Sequence, residues 1–366
     1  MYPIQPTGWR GYFTLSRTTK PRWLTHFFYL SWEDALWDLI KHFRLTTSSV
    51  ALVPEFFCTD VIRNMKTHGV DCVFYPVGPN LQTNPQLFVE HLKAVQPDIV
   101  VILHPAGITN TLFDATHTWL PSLPKNCLLI EDCVHRVVDP NEIKLISPRH
   151  VVIDSLRKVV PLQGSQLFGS EELQKMQQTA GYRTIGYQLT VAYWWLLMQV
   201  CLQAGTLPQA RRLQVWWNRQ AEYCMQVGYN IIGDSYAAGK GWFLFEWLVR
   251  HINHTRIRSC KKKQVKLYEK LLKPVLGSAG VYTIPFKESD KELLRGLPIG
   301  IRLQYADRLL NAWRNAGLLL RYELDDCIWS QKQKVLYLPL GPHVSDAAIA
   351  SVVAIFNTVT YETVLR

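Results

Sequence analysis

Between Ala51 and Phe168 the chain repeats one rhythm: a short apolar run, a stretch with helical spacing, then another short run. The runs Ala51–Val53, Cys72–Pro76, Ile99–His104, Cys127–Ile130 and Val151–Ile153 are β-branched or leucine-rich and bounded by polar residues. That is the pattern of buried strands. Helical spacing fills Thr59–His68 and Pro85–Val95, Thr116–Leu123 links the next pair, and Gln166–Phe168 adds a further short strand. Strands alternating with helices predict an α/β fold, a mainly parallel sheet with helices on both faces. Such a sheet gathers its strand carboxyl ends along one edge, where α/β proteins bind ligands.

Asp132 closes one of these runs and Lys158 follows the next. If the strands are parallel, Asp132, His135, Ser155 and Lys158 converge on one crevice. Taken singly, each residue has a plainer role. Asp132 can cap a turn, Lys158 can be a solvated loop lysine, and His104 and His135 can be ordinary strand-end histidines.

At 366 residues the chain exceeds what one core usually holds, so two subdomains are expected. Residues 1–24, punctuated by Pro, Gly, Arg and Lys, read as an arm; 25–250 form the large domain and 251–366 a small C-terminal α+β domain. In the latter, strands are predicted at Pro298–Leu303 and Leu336–Leu338. From Leu30 a helix is signalled, with Ser31 as N-cap, Asp34 three residues on, and an apolar face at Ala35, Leu36, Leu39, Ile40 and Phe43. Val191–Leu202 is too short for a membrane span, which needs about 20 apolar residues, so a buried or interface helix is expected. Gln209–Gln226 reads as a second helix, Gly241–Val249 as a strand, and His251–Lys266 as a basic hinge.

The net charge of +11 favours anionic partners: nucleotide sugars, phosphates, nucleic acid or acidic membrane faces. No nucleic-acid motif accompanies the lysine run, which reads as a solvated helix face, so no nucleic-acid partner is expected. His251 and His254 lack acidic or cysteine partners at ligand spacing, and no metal is expected. The eight cysteines show no C-x-x-C spacing and fall mostly in apolar runs. They read as reduced core residues, and with no signal-peptide pattern in MYPIQPTGWRGYF the expected compartment is the cytoplasm.

Several pieces occur in a familiar order: VALVPEFFCTDVI at Val50–Ile62, VVILHPAG at Val100–Gly107, IEDCVH at Ile130–His135, VVIDSLRKVV at Val151–Val160 and LYLPLGPHVSDAAIASVVAIF at Leu336–Phe356. This order resembles the fold-type-I pyridoxal-phosphate enzymes, and among them most the DegT/DnrJ/StrS sugar aminotransferases. The resemblance implies pyridoxal 5'-phosphate as cofactor, with Lys158 forming the Schiff base and Asp132 on the pyridine nitrogen. It implies His135 beside the ring and His104 at a neighbouring strand end. The family's stacking aromatic falls on Cys58 here, so Phe57 or Phe56 substitutes. For the phosphate it implies Ser155, with Arg136 or Arg157 supplying charge. Ser31 stands where the family holds phosphate at a helix start, but Glu33 and Asp34 follow it, so that anchor is altered. The glycine-rich turn after the lysine is reduced to Gly164.

The activity so implied takes an amino group from a donor such as glutamate and passes it to a keto-sugar or related carbonyl compound, in a homodimer with sites at the subunit interface. Rival readings are a pyridoxal-phosphate enzyme with non-transaminating chemistry, a degenerate binding or scaffold relative, and a basic surface binder that rests on charge alone.

Overall fold

The computed structural model describes residues 6, 9, 11–16, 19–179, 184–204, 213–233, 239–272, 280–318 and 320–365. The expected alternation is present. In chain order come β1 (Thr25–Tyr29), α1 (Trp32–His42), β2 (Val50–Pro54), α2 (Thr59–Thr67), β3 (Asp71–Tyr75), α3 (Pro85–Val95) and β4 (Ile99–Leu103). Two single-turn helices follow, α4 (Thr111–Asp114) and α5 (Thr116–Trp119), then β5 (Leu128–Asp132), β6 (His150–Ile153) and β7 (Ser165–Gly169).

The seven strands form one sheet in the order β1-β7-β6-β5-β4-β2-β3. Neighbours from β6 to β3 are parallel, while β7 runs antiparallel to β6 and β1 to β7. Local signals set the helix ends. Asn84 accepts hydrogen bonds from the N–H groups of Gln86 and Leu87, Pro85 opens α3, and Gln96 closes it in the left-handed region at φ 47°. Ser31 caps α1 as its spacing predicts, accepting from Asp34 N–H at 3.2 Å.

The antiparallel turn back from β6 to β7 is what places Lys158. Asp154, buried just past β6, accepts from the Gln166 backbone N–H at 2.6 Å and from Gln166 Nε2 at 2.7 Å. Leu156 N–H bonds Gly164 O at 2.9 Å, so the loop is closed at its neck. Gly164 sits at φ +138°, and a Cβ there would lie 2.4 Å from the Phe28 ring. Only glycine fits at that neck.

Helices α6 (Thr184–Ala204) and α7 (Gln214–Gly233) pack on each other, and the start of the expected Gln209–Gln226 helix lies outside the described residues. The expected strand over Gly241–Val249 is instead a helix, α8 (Phe243–Val249). Its buried side chains are Phe245 and Val249, four apart, with Trp247 outward, and Glu246 pairs with Arg250 at 3.2 Å. Helical spacing therefore governs a run whose aromatic content alone suggests a strand. Among the described residues no helix is long and apolar enough to cross a membrane.

The C-terminal part comprises α9 (His254–Leu272), β8 (Val281–Thr283), β9 (Gly296–Arg302), α10 (Leu303–Asn315), β10 (Gln333–Pro339) and α11 (Asp346–Leu365), with an antiparallel sheet ordered β10-β9-β8. One apolar cluster runs without a break from β2, β4 and β5 into α9, β9 and β10. The two sheets also meet through backbone. Gly107, at φ +91°, lies where a Cβ would stand 2.6 Å from Leu293 O and 2.7 Å from His135 O, and Arg295 N–H bonds Ala106 O at 2.8 Å. That close approach carries Arg295 to the edge of the large sheet. The N-terminal stretch is docked as well: Tyr12 is fully buried, its hydroxyl 2.6 Å from His343 Nδ1.

Candidate active site

At the carboxyl edge of β2, β4, β5 and β6 lies a cavity of about 860 Å³. Ser31, Phe57, Asp132, His135, Ser155, Arg157 and Lys158 all line it, so the fold collects seven of the eight residues that the sequence proposed. His104 is the exception.

Strand parity explains the split. Side chains alternate between faces along a strand, and in register Leu103 stands opposite Asp132 while Ile102 stands opposite Glu131. Leu103 and Asp132 therefore share the cavity face, whereas His104 falls with Glu131 on the other. There His104 Nε2 is 2.8 Å from Glu131 Oε1, and Cys133 Sγ is 3.6 Å from the same oxygen. His150 Nε2 lies 3.2 Å from the second carboxylate oxygen, off hydrogen-bond geometry. Burial pushes the Glu131 carboxyl up, and the two imidazoles overcome that and hold it well below the usual range.

His104 Nε2, a Glu131 oxygen and Cys133 Sγ come within 4.8 Å of one another, a spacing a metal could use. The hydrogen bonds argue otherwise. A ligand imidazole donates its second ring N–H to an acceptor. His104 Nδ1 instead accepts the Asn110 N–H and faces Arg136 Nη1, both at 3.1 Å, so its proton sits on Nε2 toward Glu131. The group is a hydrogen-bonded brace beneath the sheet edge.

Within the cavity, Lys158 ends a short helical turn, Leu156–Lys158, beyond β6. Its Nζ lies 3.5 Å from His135 Nε2. Burial lowers the amine below the usual lysine value, Glu323 opposes this, and Arg295 and Arg157 add to it. Asp132 is buried at the end of β5 and accepts the Val134 N–H at 3.0 Å. Burial raises its carboxyl to about 7 against the pull of that hydrogen bond and of Lys158. The Trp32 indole is near enough to favour the charged form, yet its buried Nε1 reaches no acceptor at hydrogen-bond geometry. Asp132 is thus a carboxylate without an ion-pair partner among the described residues, open to a cation from the cavity.

Phe57 lines the cavity, edge-on to Trp32 at 6.1 Å, while Phe56 packs on Trp329. The Ser155 hydroxyl lines the cavity with no hydrogen bond among the described residues. Ser31 lines it too, but its hydroxyl is committed to the cap: it accepts Asp34 N–H and donates to Asp34 Oδ2 at 2.8 Å. Asp34 turns inward to the Gly239 N–H at 2.9 Å, and Glu33 faces the cavity in its place. Burial brings the Arg157 guanidinium down to about 10, with Glu33 opposing that shift.

The structure also reveals groups that the sequence reading did not single out. Glu323, whose backbone N–H bonds Val335 O of β10 at 2.9 Å, is 3.3 Å from His135 Nε2 and 2.6 Å from Arg295 Nη1. Arg321 and, from α7, Gln226 and Asn230 line the same cavity.

Several solved aminotransferases share this architecture. Spr1654 from Streptococcus pneumoniae, assigned as a sugar aminotransferase and solved in its PMP form, superposes with a TM-score of 0.63 at 12% identity, over 99% of this chain and 100% of that one. The chain has an aminotransferase fold of type I. The same fold appears in the aminotransferase TlmJ from Streptoalloteichus hindustanus, with a TM-score of 0.57 at 12% identity over 93% of this chain and 86% of that one. A DegT DnrJ EryC1 StrS aminotransferase from Brucella abortus gives 0.52 at 13% identity, over 92% and 85%. No protein-family model matches the sequence, and no curated protein matches it either. The fold is thus shared at 12–13% sequence identity.

Proposed function

We propose that this protein is a pyridoxal-phosphate-dependent aminotransferase-like enzyme acting on an anionic carbonyl substrate, a keto-sugar or nucleotide-linked keto-sugar, with an amino acid as donor. One observation carries the reading. A buried amine and a buried carboxylate, each disfavoured in its charged form, line one cavity of a size suited to a cofactor with its substrate.

The residues fit the group. Lys158 would hold the cofactor's carbonyl carbon, and Asp132 would keep the ring nitrogen protonated, gaining the cation it lacks. Phe57 and Trp32 offer an aromatic wall. Ser155, with its uncommitted hydroxyl, and Arg157 would take the phosphate, since the Ser31 cap is closed to it. When bound, pyridoxal phosphate supplies an electron sink for the substrate's Cα–H bond. The chain's own part is to orient, to exclude water and to move a proton at Cα. Lys158 Nζ is suited to that because burial shifts it toward the free amine. Arg321 and Arg63, both lining the cavity, suit a substrate carboxylate or phosphate. A homodimer in a reducing, cytoplasmic compartment completes the proposal, supported by eight cysteines that are all free thiols.

Glu33 at the helix start favours a second reading, a cofactor-bound protein without transamination or a non-catalytic relative. Visible absorbance separates the three. The proposal predicts a yellow protein on adding pyridoxal phosphate, bleached by glutamate or another amino donor. Colour that no donor changes points to other chemistry, and a protein that stays colourless removes the enzyme reading.

A further inference from the structure

Arg295, Glu323, His135 and Lys158 form one chain of contacts across the seam between the two sheets. Arg295 Nη1 lies 2.6 Å from Glu323 Oε1, the same oxygen lies 3.3 Å from His135 Nε2, and Nε2 lies 3.5 Å from Lys158 Nζ. The other ring nitrogen, Nδ1, accepts the Ala106 N–H at 3.2 Å. A neutral imidazole has one donor and one acceptor nitrogen, so its proton is on Nε2. Burial lowers His135 to about 3, which keeps the ring neutral at working pH. Lys158 therefore meets an N–H and not a lone pair. That one N–H is shared with the Glu323 carboxylate, which lies nearer, and an ammonium at Lys158 could not accept any part of it.

We propose that Glu323 is a positioning residue for the Lys158 amine and that Arg295 is its counterweight. Glu323 holds His135 in the Nε2–H form and presents the negative charge that favours the ammonium. Arg295 withdraws part of that charge. Burial pushes the Glu323 carboxyl up, but Arg295, His135 and Lys158 overcome this and hold it well below the usual range, so it stays ionised. The charged and titratable groups facing Lys158 are Cys58, Asp132, His135 and Arg157 from the large sheet's side and Glu323 and Arg295 from the other. Burial raises the Cys58 thiol, leaving it neutral near pH 7. Asp132 and Arg157 are common to every variant below, so the contrast isolates Glu323 and Arg295.

The inference rests on Lys158 being the functional amine, and its test needs no cofactor. Full-length protein is labelled with acetic anhydride across a pH series, and the Lys158 peptide is read by mass spectrometry to give the midpoint at which the amine becomes reactive. Glu323→Gln is expected to move that midpoint to lower pH and Arg295→Gln to higher pH, each by about one unit, the scale of one charge at close range. Arg295→Gln leaves Glu323 without its strongest partner and can unfold the chain. The double variant Glu323→Gln/Arg295→Gln leaves neither charge unpaired, and its midpoint is expected above that of Glu323→Gln alone. Shifts in the same direction, or unmoved midpoints in folded variants, would overturn the inference, because a purely structural role moves the midpoint in no ordered way. Split midpoints in a protein that pyridoxal phosphate never colours would uphold this inference and remove the function proposed above. Coloured wild type with unmoved midpoints would do the reverse.

Discussion

Lys158→Ala is expected to abolish both colour with pyridoxal phosphate and any transamination, with a rate loss of roughly a thousand-fold or more. The size follows from two roles lost together. On the proposed function the side chain would hold the cofactor and would also move a proton at Cα, a step worth about 100- to 10,000-fold by itself. Among the described residues the other lysine amine shifted downward by burial is Lys261 on α9, brought to about 7, and it does not line this cavity. Stability should change little. Glu323 keeps Arg295 and His135 as partners when the amine is gone, so no buried charge is stranded. Absorbance, donor-dependent turnover and a thermal melt on the same preparation check all three parts. Full colour and turnover in Lys158→Ala would contradict the assignment.

The second large effect concerns Asp132→Asn, and it has opposite signs with and without cofactor. With pyridoxal phosphate, loss of the carboxylate is expected to weaken binding and slow turnover about 100-fold or more, because the ring nitrogen loses the anion that keeps it protonated. Without cofactor the same substitution should stabilise the protein above neutral pH. Asp132 is raised in the folded chain to about 7 from a reference value of 3.8. Between those values the folded state holds a proton that the unfolded state has released, so this group costs stability progressively as pH rises from about 4 to 7. The full cost above pH 7 is on the order of 4 kcal/mol. Asn carries no such proton. Melting curves of the two cofactor-free proteins should therefore converge near pH 4 and separate toward pH 8, with the variant higher. A wild type that is the more stable at pH 8 would show that Asp132 already has its cation.

The position of Asp132 and Lys158 at one sheet edge is legible in the sequence for a physical reason. Short buried strands end abruptly in polar residues, which puts the last residue of β5 and the turn after β6 at the carboxyl edge. Helix α3 has the expected limits because Asn84, Pro85 and Gln96 act locally. His104 faces away from the cavity because its side depends on register with β5, and one residue of register reverses every side chain. Gly241–Val249 was misread because aromatic content suggested a strand where four-residue spacing of buried side chains governs. Glu323 and Arg295 left no local mark. Glu323 reaches His135 across 188 residues, and Arg295 is brought in by the close approach at Gly107, a tertiary event that no window of sequence contains. The one cue available is a charged residue next to an apolar strand, Arg295 before Gly296–Arg302, a buried cation that needs an anion.

The central claim is that Lys158 is the amine that holds a carbonyl cofactor. Borohydride reduction of the protein with pyridoxal phosphate, followed by peptide mass spectrometry, tests it in one step. A reduced cofactor adduct confined to the peptide bearing Lys158 is the expected result, and an adduct spread over surface lysines with Lys158 unmodified would contradict it.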